Sequence, residues 1–203
     1  MTRAYHASLL PPAAGLGLAG LAWLGPGPAG AALLLAVLAL VAGQIAWQDL
    51  ATFTISDAAV AALSLLGVAS RLAEGRLDGT PIVTTLGLAG LDGLLCGGAF
   101  LLVREGFYRW RGHDGLGLGD VKLALAAGIL VGTEGFAWTV LAASLGGLCV
   151  AGAMQLRRAP SPEPRRIAFG ALLAPTLCLV WLLAAGLPLM REPAAPSFAA
   201  GTR

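Results

Sequence analysis

The 203-residue sequence is 57% hydrophobic and carries charged side chains at 12% of its positions. Soluble globular domains are charged at about 25% of positions, so this composition excludes an ordinary soluble domain and indicates burial in lipid. A net charge of +2, with no basic cluster interleaved with aromatic residues, indicates no nucleic-acid partner. Cys96, Cys149 and Cys178 form no CxxC pair, so neither a metal site nor a disulfide framework is predicted.

Charged residues and Pro/Gly clusters divide the chain into apolar blocks that suggest membrane-spanning helices. Seven blocks can be counted, at about residues 8–24, 29–47, 58–72, 81–103, 121–132, 136–156 and 167–190. The first, third and fifth are short for a hydrocarbon core about 30 Å thick, so six spans are an alternative count. We therefore predict an all-α polytopic membrane protein, a bundle of about six to seven transmembrane helices forming one domain over residues 1–203.

The N-terminal block could be mistaken for a secretory signal, but further apolar blocks follow at once, so an uncleaved first span is predicted. Basic residues indicate the orientation. With a cytoplasmic N-terminus, the inner segments hold Arg3, Arg104, Arg109, Arg111, Lys122, Arg157, Arg158, Arg165 and Arg166, and the outer ones hold Arg71, Arg76, Arg191 and Arg203. This asymmetry agrees with the positive-inside rule.

Two aspartates stand at borders of the apolar blocks. Asp49 closes the second block, and Asp120 opens the fifth within the run Gly117-Leu118-Gly119-Asp120-Val121-Lys122-Leu123. An ionisable residue at a membrane border is costly, which makes each a candidate functional residue. Two predicted spans separate them, so both carboxylates return to the same, cytoplasmic, face.

Two neighbouring carboxylates resist simultaneous ionisation, so such a pair shares a proton and supplies both a base and an acid. The base can activate water against a peptide carbonyl, and the acid can protonate the leaving nitrogen. This chemistry needs no metal or covalent intermediate. The sequence therefore suggests a two-aspartate protease at the edge of a bilayer.

Structural roles compete with this hypothesis. Asp120 and Asp57 both stand where an N-cap residue is expected. Asp49 does not fit a cap, because it lies near a helix C-terminus, where the helix dipole disfavours negative charge. Lys122 is interpreted either as extending to the membrane interface or as positioning substrate. Asp92, in the middle of the fourth block, is expected to face the bundle interior and bond to a neighbouring helix.

The run from Gly117 to Leu123 resembles the GxGDxKL signature of the type IV prepilin peptidases, which are membrane-embedded aspartic proteases. Two further segments support the resemblance. Asp49-Leu50 followed by Ile55-Ser56-Asp57 is similar to the family's first aspartate and the turn after it, and the segment 167–174 is similar to a late PFGP-type segment. The resemblance covers about residues 29 to 190.

The resemblance implies an inner-membrane endopeptidase that removes the leader from prepilins or pseudopilins of type IV pilus or type II secretion systems. Cleavage would occur at the cytoplasmic face, with Asp49 and Asp120 as the catalytic pair and no cofactor. Gly117 and Gly119 would allow close approach of the backbone to substrate. Lys122 is carried over as a motif residue with an open role.

The sequence departs from the family pattern in several places. Longer members have an additional N-terminal span and a domain with paired CxxC motifs, which this sequence is expected to lack, so N-methylation by it is an open question. Ser56, Ala168 and Ala171 stand where prolines are usual. Two other functions are weighed: a non-catalytic pilus assembly protein, and a small proton-coupled transporter using Asp49, Asp92 and Asp120.

Overall fold

The structure is a computed structural model that describes residues 28–112, 116–156 and 168–186. These residues form helices and no strands, which confirms the prediction of an all-α protein. The helices are α1 (Pro28–Thr52), α2 (Asp57–Asp78), α3 (Ile82–Arg111), α4 (Leu118–Leu156) and α5 (Phe169–Trp181), the last continued by a π-helical turn at Leu182–Gly186.

Four helices, α1 to α4, are long and apolar enough to cross a membrane, as expected of a polytopic membrane protein. The predicted block at residues 8–24 lies outside the described residues. The total of six to seven spans therefore stays a prediction.

Helices α2 and α3 continue furthest past the C-terminal ends of the apolar blocks that predicted them. α2 runs to Asp78 rather than residue 72, and α3 runs to Arg111 rather than residue 103. A charged side chain disfavours burial of a segment in lipid, but it does not by itself terminate a helix. Each of these helices ends where a glycine takes the left-handed conformation, at Gly79 (φ 70°) and Gly112 (φ 73°), and donates its N–H to the preceding turn.

The fifth and sixth predicted blocks are one helix, α4, interrupted at Gly132. The backbone there has φ 75° and ψ 176°, a combination that is essentially confined to glycine. We call residues 118–131 the first arm and residues 133–156 the second arm. The contacts of the two arms with α5 show how the chain is directed on either side of the break.

The first arm and α5 begin at the same place. A Cβ added at Gly119 would lie 3.2 Å from Ile55 Cβ, and one added at Gly170 would lie 3.0 Å from Ile55 Cδ1. Gly119 and Gly170 each stand at the start of their helix. The two N-termini therefore converge on a single side chain.

The second arm passes α5 in the opposite sense. A Cβ at Gly135 would lie 3.5 Å from Val180, near the end of α5, whereas one at Gly147 would lie 3.3 Å from Leu172, near its start. Later residues of the second arm therefore lie beside earlier residues of α5, so the second arm and α5 run antiparallel. The first arm starts beside the start of α5 and runs in the same direction as α5. The two arms are consequently antiparallel to each other, and the fifth and sixth blocks follow separate paths through the bundle.

The core of the bundle is formed by the buried face of α1 against α2 and α5. Leu34, Leu38, Val41 and Ile45 recur at spacings of three and four residues and are all fully buried, as expected for one face of a helix. They belong to one apolar cluster that also contains residues of α2 and α5. This core therefore packs α1 against α5.

α3 and the first arm approach each other closely through small residues. A Cβ at Gly128 would lie 2.6 Å from the carbonyl oxygen of Asp92, and Gly93 and Gly97 face Ile129 and Leu125 in the same way. Association of helices in lipid depends on such close backbone packing, because lipid provides little hydrophobic driving force between them.

A partly buried ion pair joins three helices near Gly132, where α4 changes direction. Arg71 of α2 donates to Asp92 of α3 over 3.1 Å and to the carbonyl oxygen of Ile129 over 3.2 Å. A Cβ at Gly132 would lie 2.7 Å from the Arg71 guanidinium, so the glycine also makes room for this side chain. The prediction that Asp92 bonds to a neighbouring helix is confirmed, with Arg71 as its partner.

A second polar chain ties α5 to α2. The indole N–H of the fully buried Trp181 donates to Ser70 over 2.7 Å, and the Ser70 hydroxyl donates to Glu74 over 3.1 Å. A buried indole N–H generally needs such a partner. These bonds fix the end of α5 that lies away from Ile55.

Gly128→Ala is expected to destabilise the protein by about 1–3 kcal/mol, because the added methyl group would press on the α3 backbone. Gly98→Ala is the matched control, since no atom lies within 4 Å of its new Cβ. The measurement is the temperature at which half of the detergent-solubilised protein remains monodisperse on size-exclusion chromatography. Equal midpoints for the two variants would contradict the close approach of α3 and α4.

Candidate active site

Asp49 lies in the last turn of α1, with 6% of its surface exposed. Its Oδ2 accepts a hydrogen bond of 2.8 Å from the backbone N–H of Ala171. Ala171 is in the first turn of α5, whose own N-cap residue, Ala168, has no side chain that could accept. Asp49 therefore caps α5 from another helix.

This arrangement explains how an aspartate is kept near the C-terminus of α1. The dipole of α1 disfavours its charge, but the N-terminus of α5 supplies both a backbone donor and a favourable dipole. Gly170 makes the contact possible, because a Cβ at this position would lie 2.9 Å from Asp49 Oδ2. The sequence alone did not indicate either partner.

Asp120 is the third residue of α4, which begins at Leu118, so it does not take the predicted N-cap position. Its carboxylate accepts a backbone hydrogen bond from Gly117, and its own N–H donates to the Gly117 carbonyl over 3.2 Å. A third-position carboxylate that reaches back to the residue before the helix is half of a capping box. Asp120 therefore stabilises the start of α4.

The structure brings Asp49 and Asp120 to the same end of the bundle, within range of mutual electrostatic repulsion. Asp49 is buried and Asp120 is half-buried. Each also stands at a helix N-terminus, that of α5 for Asp49 and that of α4 for Asp120. Two carboxylates at two converging helix ends form an arrangement suited to acid–base chemistry.

The two motif glycines differ in their surroundings. Gly119 faces Ile55 at a distance that would require movement if a Cβ were added, so this position depends on glycine. Gly117 is exposed, and a Cβ there would make an ordinary 3.5 Å contact with Asp120 Oδ2. The close contact at Gly119 is with the side chain of Ile55, and the predicted approach of the backbone to substrate stays a prediction.

Lys122 extends toward α2. Its Nζ lies 2.6 Å from Oδ1 of Asp57, and both side chains are more than half exposed. Asp57 is the first residue of α2, and Ser56 takes the N-cap position that was predicted for Asp57. In this structure Lys122 joins the start of α4 to the start of α2.

Among the described residues, no three His, Cys, Asp or Glu side chains are grouped closely enough to hold a metal ion. The described groups at this end of the bundle include the two carboxylates, their backbone donors, the Lys122–Asp57 ion pair and the apolar Ile55. Ile55 and Gly170 belong to segments that the sequence comparison had singled out, but no sequence pattern indicated that they meet beside Asp49.

Asp49→Ala should raise the hydrogen-exchange rate of the Ala171 amide roughly 2- to 30-fold, because removing a cap costs about 0.5–2 kcal/mol. Asp49→Asn is the matched control, since its amide oxygen can still accept the bond. Exchange measured by mass spectrometry on peptides that contain the start of α5 would test this. An unchanged rate in Asp49→Ala would show that α5 does not depend on the carboxylate.

One of three comparisons with known proteins gives a match. The model of the type IV leader peptidase family matches residues 33–152, more than half of the chain and a region that contains both Asp49 and Asp120. No curated protein and no solved structure gives a significant match. On the strength of this match, and with a helical bundle of apolar helices to support it, the chain belongs to the type IV leader peptidase family and is a membrane peptidase of that kind.

Proposed function

We propose that the protein is an aspartic endopeptidase that removes the leader peptide from prepilin or pseudopilin precursors at the cytoplasmic face of the inner membrane. Asp49 and Asp120 are its catalytic pair. The observation that carries this proposal is the meeting of these two carboxylates at the N-termini of α4 and α5, from positions 71 residues apart in the chain. Membership of a peptidase family supports it.

The reaction needs one base and one acid, and a carboxylate pair that shares a proton supplies both. One aspartate removes a proton from water as the water oxygen bonds to the scissile carbonyl carbon. The other aspartate protonates the nitrogen as the C–N bond breaks, leaving a carboxylate on the leader and a new amino terminus on the pilin. All atoms come from water and substrate, so no cofactor is required.

Backbone hydrogen bonds orient both carboxylates for this chemistry. Ala171 N–H holds Asp49, and Gly117 holds Asp120. Because these donors belong to helix ends, the carboxylates are fixed by secondary structure rather than by mobile side chains. Fixed groups need little reorganisation during the reaction, which is the usual basis of electrostatic catalysis.

The cytoplasmic orientation is supported by the end of α3 that lies on the side of the aspartates. Its last two turns carry Arg109 and Arg111 together with the exposed Tyr108 and Trp110. Arginines are enriched on the cytoplasmic side, and tyrosine and tryptophan are enriched at the membrane interface. We therefore place the aspartate end of the bundle at the cytoplasmic interface.

A transporter function would use Asp92, together with Asp49 and Asp120, to form a path for protons or cations. Asp92 is instead paired with Arg71 and contributes to joining α2, α3 and α4. An ion pair of this kind neutralises the carboxylate and leaves the peptidase as the better interpretation. An assembly protein that binds pilins without cutting them is distinguished by the cleavage experiment.

Asp49→Asn and Asp120→Asn should each reduce the rate of precursor cleavage roughly 10²- to 10⁴-fold, the usual contribution of a general acid or base. The measurement is the size shift of a pilin precursor from the same genome, with purified protein in detergent. Asp78→Asn is the matched control, because Asp78 is an exposed carboxylate at the other end of α2.

The pattern across variants separates the functions considered. Asp92→Asn is expected to keep most of the cleavage activity. Cleavage that persists in Asp49→Asn or Asp120→Asn would exclude the aspartic mechanism. Pilus assembly that continues in both variants without any cleavage would instead favour an assembly protein.

A further inference from the structure

The connection between α1 and α2 places an apolar side chain at the aspartate end of the bundle. Four residues, 53–56, join these helices; Ile55 and Ser56 are half-buried, and Ile55 packs against the apolar core. Its side chain fills the space between Gly119 and Gly170, which flank Asp120 and contact Asp49 respectively. Ile55 thus packs against the backbone next to each of the two carboxylates.

This connection is held under backbone strain. Phe53 has φ 52°, a left-handed conformation that costs a non-glycine residue about 1–2 kcal/mol. Its N–H bonds to the Asp49 carbonyl over 2.9 Å, and half of its side chain is exposed. A bulky residue in this conformation is maintained by its surroundings, and the strain favours release of the connection.

At the other end of the connection, the Ser56 carbonyl accepts N–H groups of the first turn of α2, and the side-chain contact is an exposed ion pair. Lys122 of α4 contacts Asp57 directly after the connection. Exposed ion pairs contribute about 0–1 kcal/mol, so this contact is easily broken. By contrast, the starts of α4 and α5 are the first turns of packed helices. Because the connection is not helical, we expect it to move at a lower cost than these helix starts.

A peptide bond can be cut by this pair only if it lies within reach of both carboxylates, and Ile55 packs against the helix starts beside both of them. We propose, on the basis of the proposed function, that Ile55 occupies the position of the substrate backbone in the unliganded enzyme and that the 53–56 connection moves aside when a precursor binds. Ile55 is then a gating residue that competes with substrate. The population of the open connection sets the apparent affinity.

Ile55→Ala should lower KM for the precursor roughly 3- to 30-fold, because less binding energy is needed to open the site. The value of kcat should stay within about twofold, since the carboxylates are retained. Ile82→Ala is the matched control, because Ile82 is an exposed isoleucine at the far end of α3. Steady-state cleavage of a purified precursor separates KM from kcat for each variant.

A second variant tests the strain independently and in the opposite direction. Asn adopts the left-handed conformation more readily than Phe, so Phe53→Asn should stabilise the 53–56 connection in the position that it has in the structure. We expect KM to rise roughly 2- to 10-fold in this variant, again with kcat nearly unchanged. Opposite shifts in KM from two neighbouring substitutions are not expected from a loss of stability.

The result that would overturn the proposal is a fall in kcat without a fall in KM for Ile55→Ala, since Ile55 would then be needed to space the aspartates. An unchanged KM would overturn it as well. To keep this test separate from that of the proposed function, precursor binding is also measured by fluorescence titration in an Asp49→Asn background. Ile55→Ala should tighten binding there, whether or not the parent protein cleaves that precursor.

Discussion

The hydrogen bond from Ala171 N–H to the Asp49 carboxylate joins the end of α1 to the start of α5, and the candidate site depends on it. Without this bond, α5 would begin with unsatisfied backbone donors and Asp49 would be buried beside an unfavourable dipole. The Ala171 N–H therefore stabilises the buried carboxylate, and the carboxylate satisfies a backbone donor at the start of α5. Because Gly170 has no side chain, the two can approach, and Ile55 and α4 then pack against the same helix ends.

Much of the architecture could be predicted from the sequence, because long apolar runs have few alternatives to forming membrane-spanning helices. The pairing of Asp49 with Asp120 followed from an even number of intervening spans, and the interior position of Asp92 followed from its apolar neighbours. The structure agrees with both of these. The motif around Asp120 indicated the family, which the comparison over residues 33–152 also shows.

Other features could not be predicted, for physical reasons. α1 is apolar on all sides, so its sequence has no amphipathic pattern to show which face is buried. Helix ends depended on glycines in the left-handed conformation rather than on the first charged residue. The partners Asp49 and Ala171, or Lys122 and Asp57, are 122 and 65 residues apart, and no local pattern reports contacts at that separation.

The pairing of Arg71 with Asp92 has a consequence for how this protein enters the bilayer. An arginine at the centre of a lone helix raises the free energy of insertion by about 2.5–3.5 kcal/mol. α2 and α3 are joined by the short connection 79–81, and their opposite charges meet at 3.1 Å. A helical hairpin in which Arg71 and Asp92 already face each other enters the bilayer more readily than either helix alone. Biogenesis would then proceed by insertion of α2 and α3 as a unit.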